Sequence, residues 1–245
     1  MLNEQTMEKL NAMKLDGMAE GFREQLAQPA AIDGLGFEER FGLLVDRQVS
    51  YREDRRMKSL LKDARLKVNA CMEDIDYRTP RGLDKEMLLT LAGCEFIRRS
   101  QNVIITGFTG SGKTYLACAL GNRACREGMS TFYIRAPKLY YTVALARADG
   151  SYGKLIARLA RVRLLIIDDF GLAPLDDSSR RDLLEIVEDR YGSSSTVMAS
   201  QLPVNHWHEQ IGDPTIADAI LDRLIHNAHR INLKGEKTMR NPGKS

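Results

Sequence analysis

The chain has 245 residues, 43% hydrophobic and 28% charged, the composition of a globular protein with room for one large domain or a small one beside a medium one. No stretch approaches the ~20 apolar residues that span a bilayer, and the first ten residues carry acidic side chains and no apolar segment, so the expectation is a cytoplasmic protein with neither secretory signal nor membrane partner. A net charge of +3 neither demands nor excludes a nucleic-acid partner, so that argument rests on where the charges lie.

Residues 1–76 lack any strand pattern and are predicted to form a small all-helical N-terminal domain for DNA binding or oligomerisation. A first helix is expected over 6–24, with Thr6 as its cap and Met7 and Leu10 following at helical spacing. Pro29, Gly34 and Gly36 mark a loop over 28–36. A second helix is expected from 36 to about 72. Between Arg47 and Lys67 it holds eight basic residues against three acidic ones, beside an apolar stripe of Leu60, Leu61, Ala64 and Val68. Arg52, Arg55, Arg56, Lys58 and Lys62 are candidate contacts to a phosphate backbone. The same run also reads as a solvated helix face with i,i+4 pairs such as Asp54–Lys58. Residues 74–81 read as a linker, because Pro80 ends a helix.

The second domain, 77–245, alternates strands with helices. Strands are predicted at 102–107, 131–135, 163–168, 195–200 and 229–233, and helices at 83–92, 113–127, 137–147, 151–162, 178–191 and 214–228. The unbroken apolar run 164–167 is that of a strand covered on both faces, hence an α/β fold with a parallel five-stranded sheet and helices on each side. Cys71, Cys94, Cys118 and Cys125 form no C-x-x-C pair and read as small buried thiols. The local pairs His206/His208 and His226/His229 lack the cysteine or carboxylate partners of a zinc site.

The chemistry concentrates in Gly107-Phe108-Thr109-Gly110-Ser111-Gly112-Lys113-Thr114, set between a predicted strand and a predicted helix. That is the pattern G-x-x-x-x-G-K-[ST] in the context its mechanism needs, a phosphate-binding loop. Gly107, Gly110 and Gly112 allow the backbone close to phosphate oxygens, and N–H groups of the loop and helix start point at the anion. Thr109, Ser111 and Tyr115 complete the expected nucleotide contacts. Lys113 supplies a point charge to the β- and γ-phosphates, and the Thr114 hydroxyl is a ligand for Mg²⁺. Asp168 and Asp169 end the apolar strand that begins at 164; Asp168 is assigned to the metal and Asp169 to the attacking water. A strand ending in Ser200-Gln201, if it lies between these two, brings Ser200 or Gln201 to the γ-phosphate as a sensor; Gln201 has the longer reach. Two helices occupy 136–162 where a simple P-loop fold needs one, and their Lys138 and Lys154 are further candidate DNA contacts. Arg223, taken alone, reads as half of a helix-surface Asp–Arg pair.

Residues 107–121, 164–175, 200–209 and 217–236 together closely resemble the IstB family, and the likeness extends to 8–20 and 74–84. IstB proteins are the ATP-binding helpers encoded beside the IstA transposase in bacterial insertion sequences. The resemblance implies an AAA+ ATPase core that uses ATP and Mg²⁺. It implies binding to double-stranded DNA with little sequence preference, ATP-dependent self-association on that DNA, and its deformation. It also implies presentation of the target to the cognate transposase, which is stimulated and in turn promotes hydrolysis and disassembly. Within this frame Gln201 is the favoured sensor, and Arg223 becomes an arginine finger reaching into a neighbouring subunit. The helicase loaders DnaC and DnaI share the ATPase core, so loading of a replicative helicase is the alternative function. A small-molecule kinase would need an acceptor pocket and a lid. After Arg230 too few residues remain for the ~60 of a helical lid, so nucleotide closure must come from a neighbour or from the N-terminal region. The run Gly235-Glu236-Lys237-Thr238-Met239-Arg240 departs from the family's shorter Gly-Glu-Ser-Met-Arg and leaves the role of Arg240 open.

Overall fold

The computed structural model describes residues 2–78, 81–234 and 239. Pro80, Arg240 and most of the atypical tail lie outside them. The chain divides into two compact units, Met1–Ser59 and Leu60–Ser245.

The first unit contains α1 (Leu2–Ala12), α2 (Asp16–Ala27) and the start of α3 (Phe37–Ala64). The single helix predicted over 6–24 is therefore two. Lys14 adopts φ 59°, and the Leu15 N–H closes onto Leu10 O at 2.8 Å, which turns the chain between α1 and α2. Thr6 does not cap; it sits inside α1 with its hydroxyl donating back to Leu2 O at 3.0 Å. α2 lies close against α3 because Gly17 and Gly21 have no side chain. A Cβ on Gly17 would fall 2.7 Å from Tyr51 Cβ, and one on Gly21 would fall 3.1 Å from Leu44 Cδ2. Buried Gln48 accepts the Met18 N–H at 3.1 Å and so satisfies a donor in the first turn of α2. α3 stops at Ala64 rather than near 72, because Arg65 takes φ 52°.

In the second unit, Asp84 caps α4 (Lys85–Ala92) by accepting the N–H groups of Glu86 and Met87, and α5 (Glu95–Arg98) follows. The sheet is built from β1 (Val103–Gly107), β2 (Thr131–Arg135), β3 (Leu164–Phe170), β4 (Ser195–Ser200) and β5 (His229–Leu233). All its pairings are parallel, in the order β2-β3-β4-β1-β5. Each predicted strand is present to within two residues. So are the helices, now α6 (Lys113–Arg126), α7 (Ala136–Ala148), α8 (Tyr152–Arg161), α9 (Asp177–Arg190) and α11 (Pro214–Ile225), except that α11 stops three residues early. The short α10 (Trp207–Ile211) was not legible as a helix; buried Trp207 anchors it, edge-on to Phe170 at 4.8 Å and donating to Leu202 O at 3.0 Å.

The sheet is covered on both faces, as the apolar strands require. Leu88, Phe96, Leu116 and Leu120 pack on one side against Val103, Ile105 and Ile166. Leu139, Leu159, Leu183 and Ile220 pack on the other against Ile104, Leu165, Ile167 and Met198. Ala70, Met72 and Ile75 belong to the first of these cores. Residues 60–76 therefore go with the sheet, and the division between the units falls inside α3 rather than at 76/77. Among the described residues no helix follows β5.

Candidate functional site

In a parallel α/β sheet the loops at the carboxyl ends of the strands form the ligand crevice. Here β4 alone separates β1 from β3, so the loop after β1 and the carboxylates ending β3 open onto the same edge. The glycines of that loop occupy backbone conformations open only to glycine. Gly107 has φ 152°, and a Cβ there would lie 2.6 Å from Leu233 O. Gly112 has φ 99°, and a Cβ there would lie 2.5 Å from Arg81 Nη1. Lys113 opens α6 and donates its ammonium to Gly107 O at 2.7 Å and Phe108 O at 2.8 Å, which folds it across the loop.

Asp168 is fully buried and accepts three hydrogen bonds. The Thr114 hydroxyl and the Tyr133 hydroxyl each donate to Oδ2 at 2.7 Å, and the Asp169 N–H donates to Oδ1 at 2.9 Å. Burial, reinforced by the Asp168 carboxylate, pushes the Tyr133 hydroxyl well above the usual phenol range, so it remains a proton donor to Asp168. Asp169 takes φ 58°, a strained value for a residue with a side chain, and its carboxylate accepts Arg135 Nε at 2.6 Å. The hydrogen bond from Arg135 to Asp169, with their mutual attraction, raises the arginine's basicity further.

A cleft of about 570 Å³, within the range of nucleotide pockets, opens over the loop. Thr109, Gly110, Lys113, Thr114, Asp169 and Gln201 line its phosphate side, and Lys67, Val68, Asp76, Arg81 and Tyr115 lie around the rest. The donor set fits a magnesium nucleoside triphosphate on three counts. Ser111 Oγ is buried with no hydrogen-bond partner among the described residues. The glycine cradle leaves room that any Cβ would fill. Thr114 and Asp168 bring two hard oxygen ligands together, the usual protein share of a Mg²⁺ site.

Ser200 and Gln201 are placed differently. Ser200 is buried, donating to Phe170 O at 2.7 Å and accepting the Leu202 N–H at 3.0 Å, so its hydroxyl is engaged in shaping the strand end. Gln201 lines the cleft and accepts the Thr109 hydroxyl at 2.7 Å. Arg223 is not brought to this cleft. Its backbone oxygen accepts from Asn102, the residue before β1, so it stands at the end of the sheet away from the glycine loop. Its guanidinium pairs with Glu188 of α9 at 2.9 Å rather than with Asp222.

Sequence reasoning missed Arg81, Tyr133 and Arg135. Arg81 is buried, with Nη1 donating to Ser111 O at 3.2 Å and Nη2 to Asp76 O at 3.0 Å, and burial lowers its pKa. Its signal was the stretch 74–81, read as a linker within the 74–84 part of the family likeness. Tyr133 and Arg135 alternate along β2 toward the β3 carboxylates, a contact visible only once β2 is known to flank β3.

The candidate DNA contacts are exposed. Arg52, Arg55, Arg56 and Lys58 lie on α3 in the first unit, Lys62 lies on α3 in the second, and Lys138 and Lys154 lie on α7 and α8. Arg55 also pairs with Asp16 at 3.6 Å. Other basic residues of the α7–α8 segment serve the fold. Arg147 bonds Asp182 and stacks on Tyr152, Arg158 lies 4.6 Å over Phe132, and Arg163 donates to Ser193 O and Ile97 O. No helix among the described residues is long and apolar enough to cross a membrane.

The family model of the IstB-like ATP binding protein matches residues 8–245. An insertion sequence ATP-binding protein of Sinorhizobium fredii is 51% identical over 98% of both chains. The ATP-binding protein of insertion sequence IS1162 from Pseudomonas fluorescens is 47% identical over 83% of this chain and 88% of its own. Among solved structures, the DnaC helicase loader superposes with a TM-score of 0.56 at 18% identity, over 68% of this chain and 97% of that one, a likeness of fold. With a glycine loop, a lysine and a buried aspartate brought together at one edge of a parallel five-stranded sheet, the chain belongs to the IstB-like ATP-binding protein family.

Proposed function

We propose that this protein is an ATP-hydrolysing, DNA-binding helper of transposition. It assembles on target duplex when ATP is bound, deforms that duplex, hands it to an IstA-type transposase, and comes apart on hydrolysis. The single observation that carries the reading is the meeting of Lys113, Thr114, Asp169 and Gln201 around one cleft, with buried Asp168 bonded to Thr114, while Arg223 stands at the other end of the sheet. The candidate finger Arg223 stands too far away to serve its own chain's pocket, so it would complete that of a second subunit.

The roles follow from position. N–H groups at the start of α6 and the Lys113 ammonium bind the β- and γ-phosphates. Thr114 and Asp168 would hold Mg²⁺, which supplies charge neutralisation on the phosphates when bound. Asp169 orients and deprotonates the attacking water, and Gln201 positions that water from the other side. Arg223 of the adjoining subunit stabilises the charge that spreads over the transferred phosphoryl group. Hydrolysis is then slow in a lone subunit and fast in an assembly. The duplex is held through its phosphates by Arg52, Arg55, Arg56, Lys58, Lys62, Lys138 and Lys154, so recognition follows backbone charge and deformability rather than base edges.

Lys113→Ala tests the reading. It is expected to abolish ATP-dependent assembly on duplex, measured by sedimentation with a non-hydrolysable analogue; assembly at wild-type level would remove the glycine loop from the mechanism. The fold shared with DnaC favours one second reading, the loading of a replicative helicase. Pull-down against the cognate transposase and the host helicase separates the two: retention of the helicase alone selects the loader.

A further inference from the structure

Arg81 is a buried cation whose charge its surroundings meet only in part. It is 8% exposed and lines the cleft over the glycine loop. Its two hydrogen-bond acceptors, Ser111 O and Asp76 O, are carbonyl oxygens, and neither brings a full negative charge. Nε is buried with no hydrogen-bond partner among the described residues. The Asp76 carboxylate attracts the guanidinium, yet burial outweighs that attraction and holds its pKa below the usual arginine value. A guanidinium has five N–H donors, and two are spent here, so three remain in a cleft shaped for an anion. A buried cation ordinarily meets a carboxylate or a phosphate.

The same residue joins three segments. Nη1 reaches the loop at Ser111, where Gly112 leaves it room: a Cβ there would lie 2.5 Å from Nη1. Nη2 reaches Asp76, in the segment that follows α3. The backbone oxygen accepts the Lys234 N–H, just beyond β5, at 2.8 Å. Lys67, Val68, Asp74 and Asp76 of that middle segment line the cleft beside Arg81. Among the described residues no helix follows β5 to cover a ligand, so this segment is the part of the second unit placed to do so. We infer that Arg81 takes the phosphate chain of a nucleotide bound by its own chain as its counter-ion, and so fastens residues 65–82 over the occupied loop. The inference rests on the cleft being a nucleotide site and adds how that site closes without a lid. An arginine suits the task because its planar fork bonds phosphate and carbonyl oxygens at once, where a lysine offers a point charge.

The test is calorimetric titration of the full-length protein with the non-hydrolysable analogue AMPPCP, together with hydrogen exchange over 65–82 with and without it. Wild type is expected to bind the analogue and to gain protection over 65–82. Arg81→Met is expected to bind it about tenfold or more weakly and to gain no protection there at saturation. Arg81→Lys keeps the charge and loses the fork; it is expected to recover part of the affinity and none of the protection. Circular dichroism without nucleotide checks the fold of each variant. Should Arg81→Met not fold, Arg81→Lys and the wild-type exchange decide. Wild type that gains no protection at saturation, or an Arg81→Met or Arg81→Lys that binds and protects like wild type, would overturn the inference. So would an Arg81→Met whose 65–82 segment exchanges faster without nucleotide while its affinity is unchanged, which makes Arg81 a structural brace. A wild type that binds no analogue overturns the nucleotide reading and this inference with it, whereas the variant results bear on Arg81 alone.

Discussion

Asp168 and Asp169 are adjacent in sequence and differ in surroundings. Asp168 is buried under three donors, one of them the hydroxyl that would share its metal. Asp169 lines the cleft in a left-handed backbone conformation, tied to Arg135 across the strand pair. Asp169→Asn is expected to keep ATP binding and lower hydrolysis by ~10²-fold or more, leaving assemblies trapped on DNA; turnover near wild type would move the water-activating role elsewhere. Arg135 sharpens the point, because a carboxylate engaged in an ion pair must loosen that pair before it takes a proton from water. Arg135→Ala is expected to raise basal hydrolysis about five-fold, the equivalent of one partly exposed ion pair, with ATP affinity unchanged by titration calorimetry. A fall in basal rate would instead make Arg135 a support for Asp169. Lys113, Thr114 and Asp168 were legible because their chemistry is written in a contiguous motif and a strand end. Arg81, Tyr133 and Arg135 were not, because each matters through a partner some thirty residues away, and that proximity is made by the order of strands.

Elements were read correctly where periodicity and punctuation agreed, and misread where an ordinary residue adopts a rare backbone conformation. Lys14 and Arg65 end helices with positive φ, yet neither is the glycine or asparagine that announces such an end. The clasp between α8, α9 and β4 was equally hidden. Arg190 is almost wholly buried and donates to Leu159 O, Val162 O, Ser195 O and the Thr196 hydroxyl. Burial pushes its pKa down to about 9, still charged at neutral pH, and the charge is met by carbonyl dipoles. Arg190→Met keeps the bulk and leaves those acceptors unpaired. It is expected to cost about 3 kcal/mol, read as a lower urea midpoint at unchanged slope; a shift below about 0.5 kcal/mol would mean water replaces the guanidinium. On α3, reversing charge at Arg55, Arg56 and Lys62 is expected to weaken duplex binding and flatten its dependence on salt. An unaltered slope would return that stretch to a solvated helix face.

For the whole molecule, the decisive geometry is the separation of Arg223 from the cleft its own chain provides. β1 runs from Asn102, which bonds the Arg223 and Leu224 carbonyl oxygens, to Gly107 at the head of the phosphate loop. An arginine at the strand's start does not reach a phosphate at its end, so any catalytic use of Arg223 is made in a neighbour's pocket. Sequence pattern alone left this arginine in a helix-surface Asp–Arg pair; it pairs instead with Glu188 of α9. The trans role therefore requires that assembly draw the guanidinium away from Glu188, an exchange that links contact between subunits to turnover. Mixing separates the possibilities. Arg223→Ala has an intact pocket and no finger; Asp169→Asn has an intact finger and no base. Each alone is expected to lose ~10²-fold or more in assembled hydrolysis. Mixed in equal amounts with DNA, an intact pocket meets an intact finger at about one contact in four, so roughly a quarter of wild-type activity should return. Activity no greater than the mean of the two inactive proteins, with assembly of the mixture confirmed by sedimentation, would place Arg223 in the fold alone and leave the source of charge stabilisation to another residue.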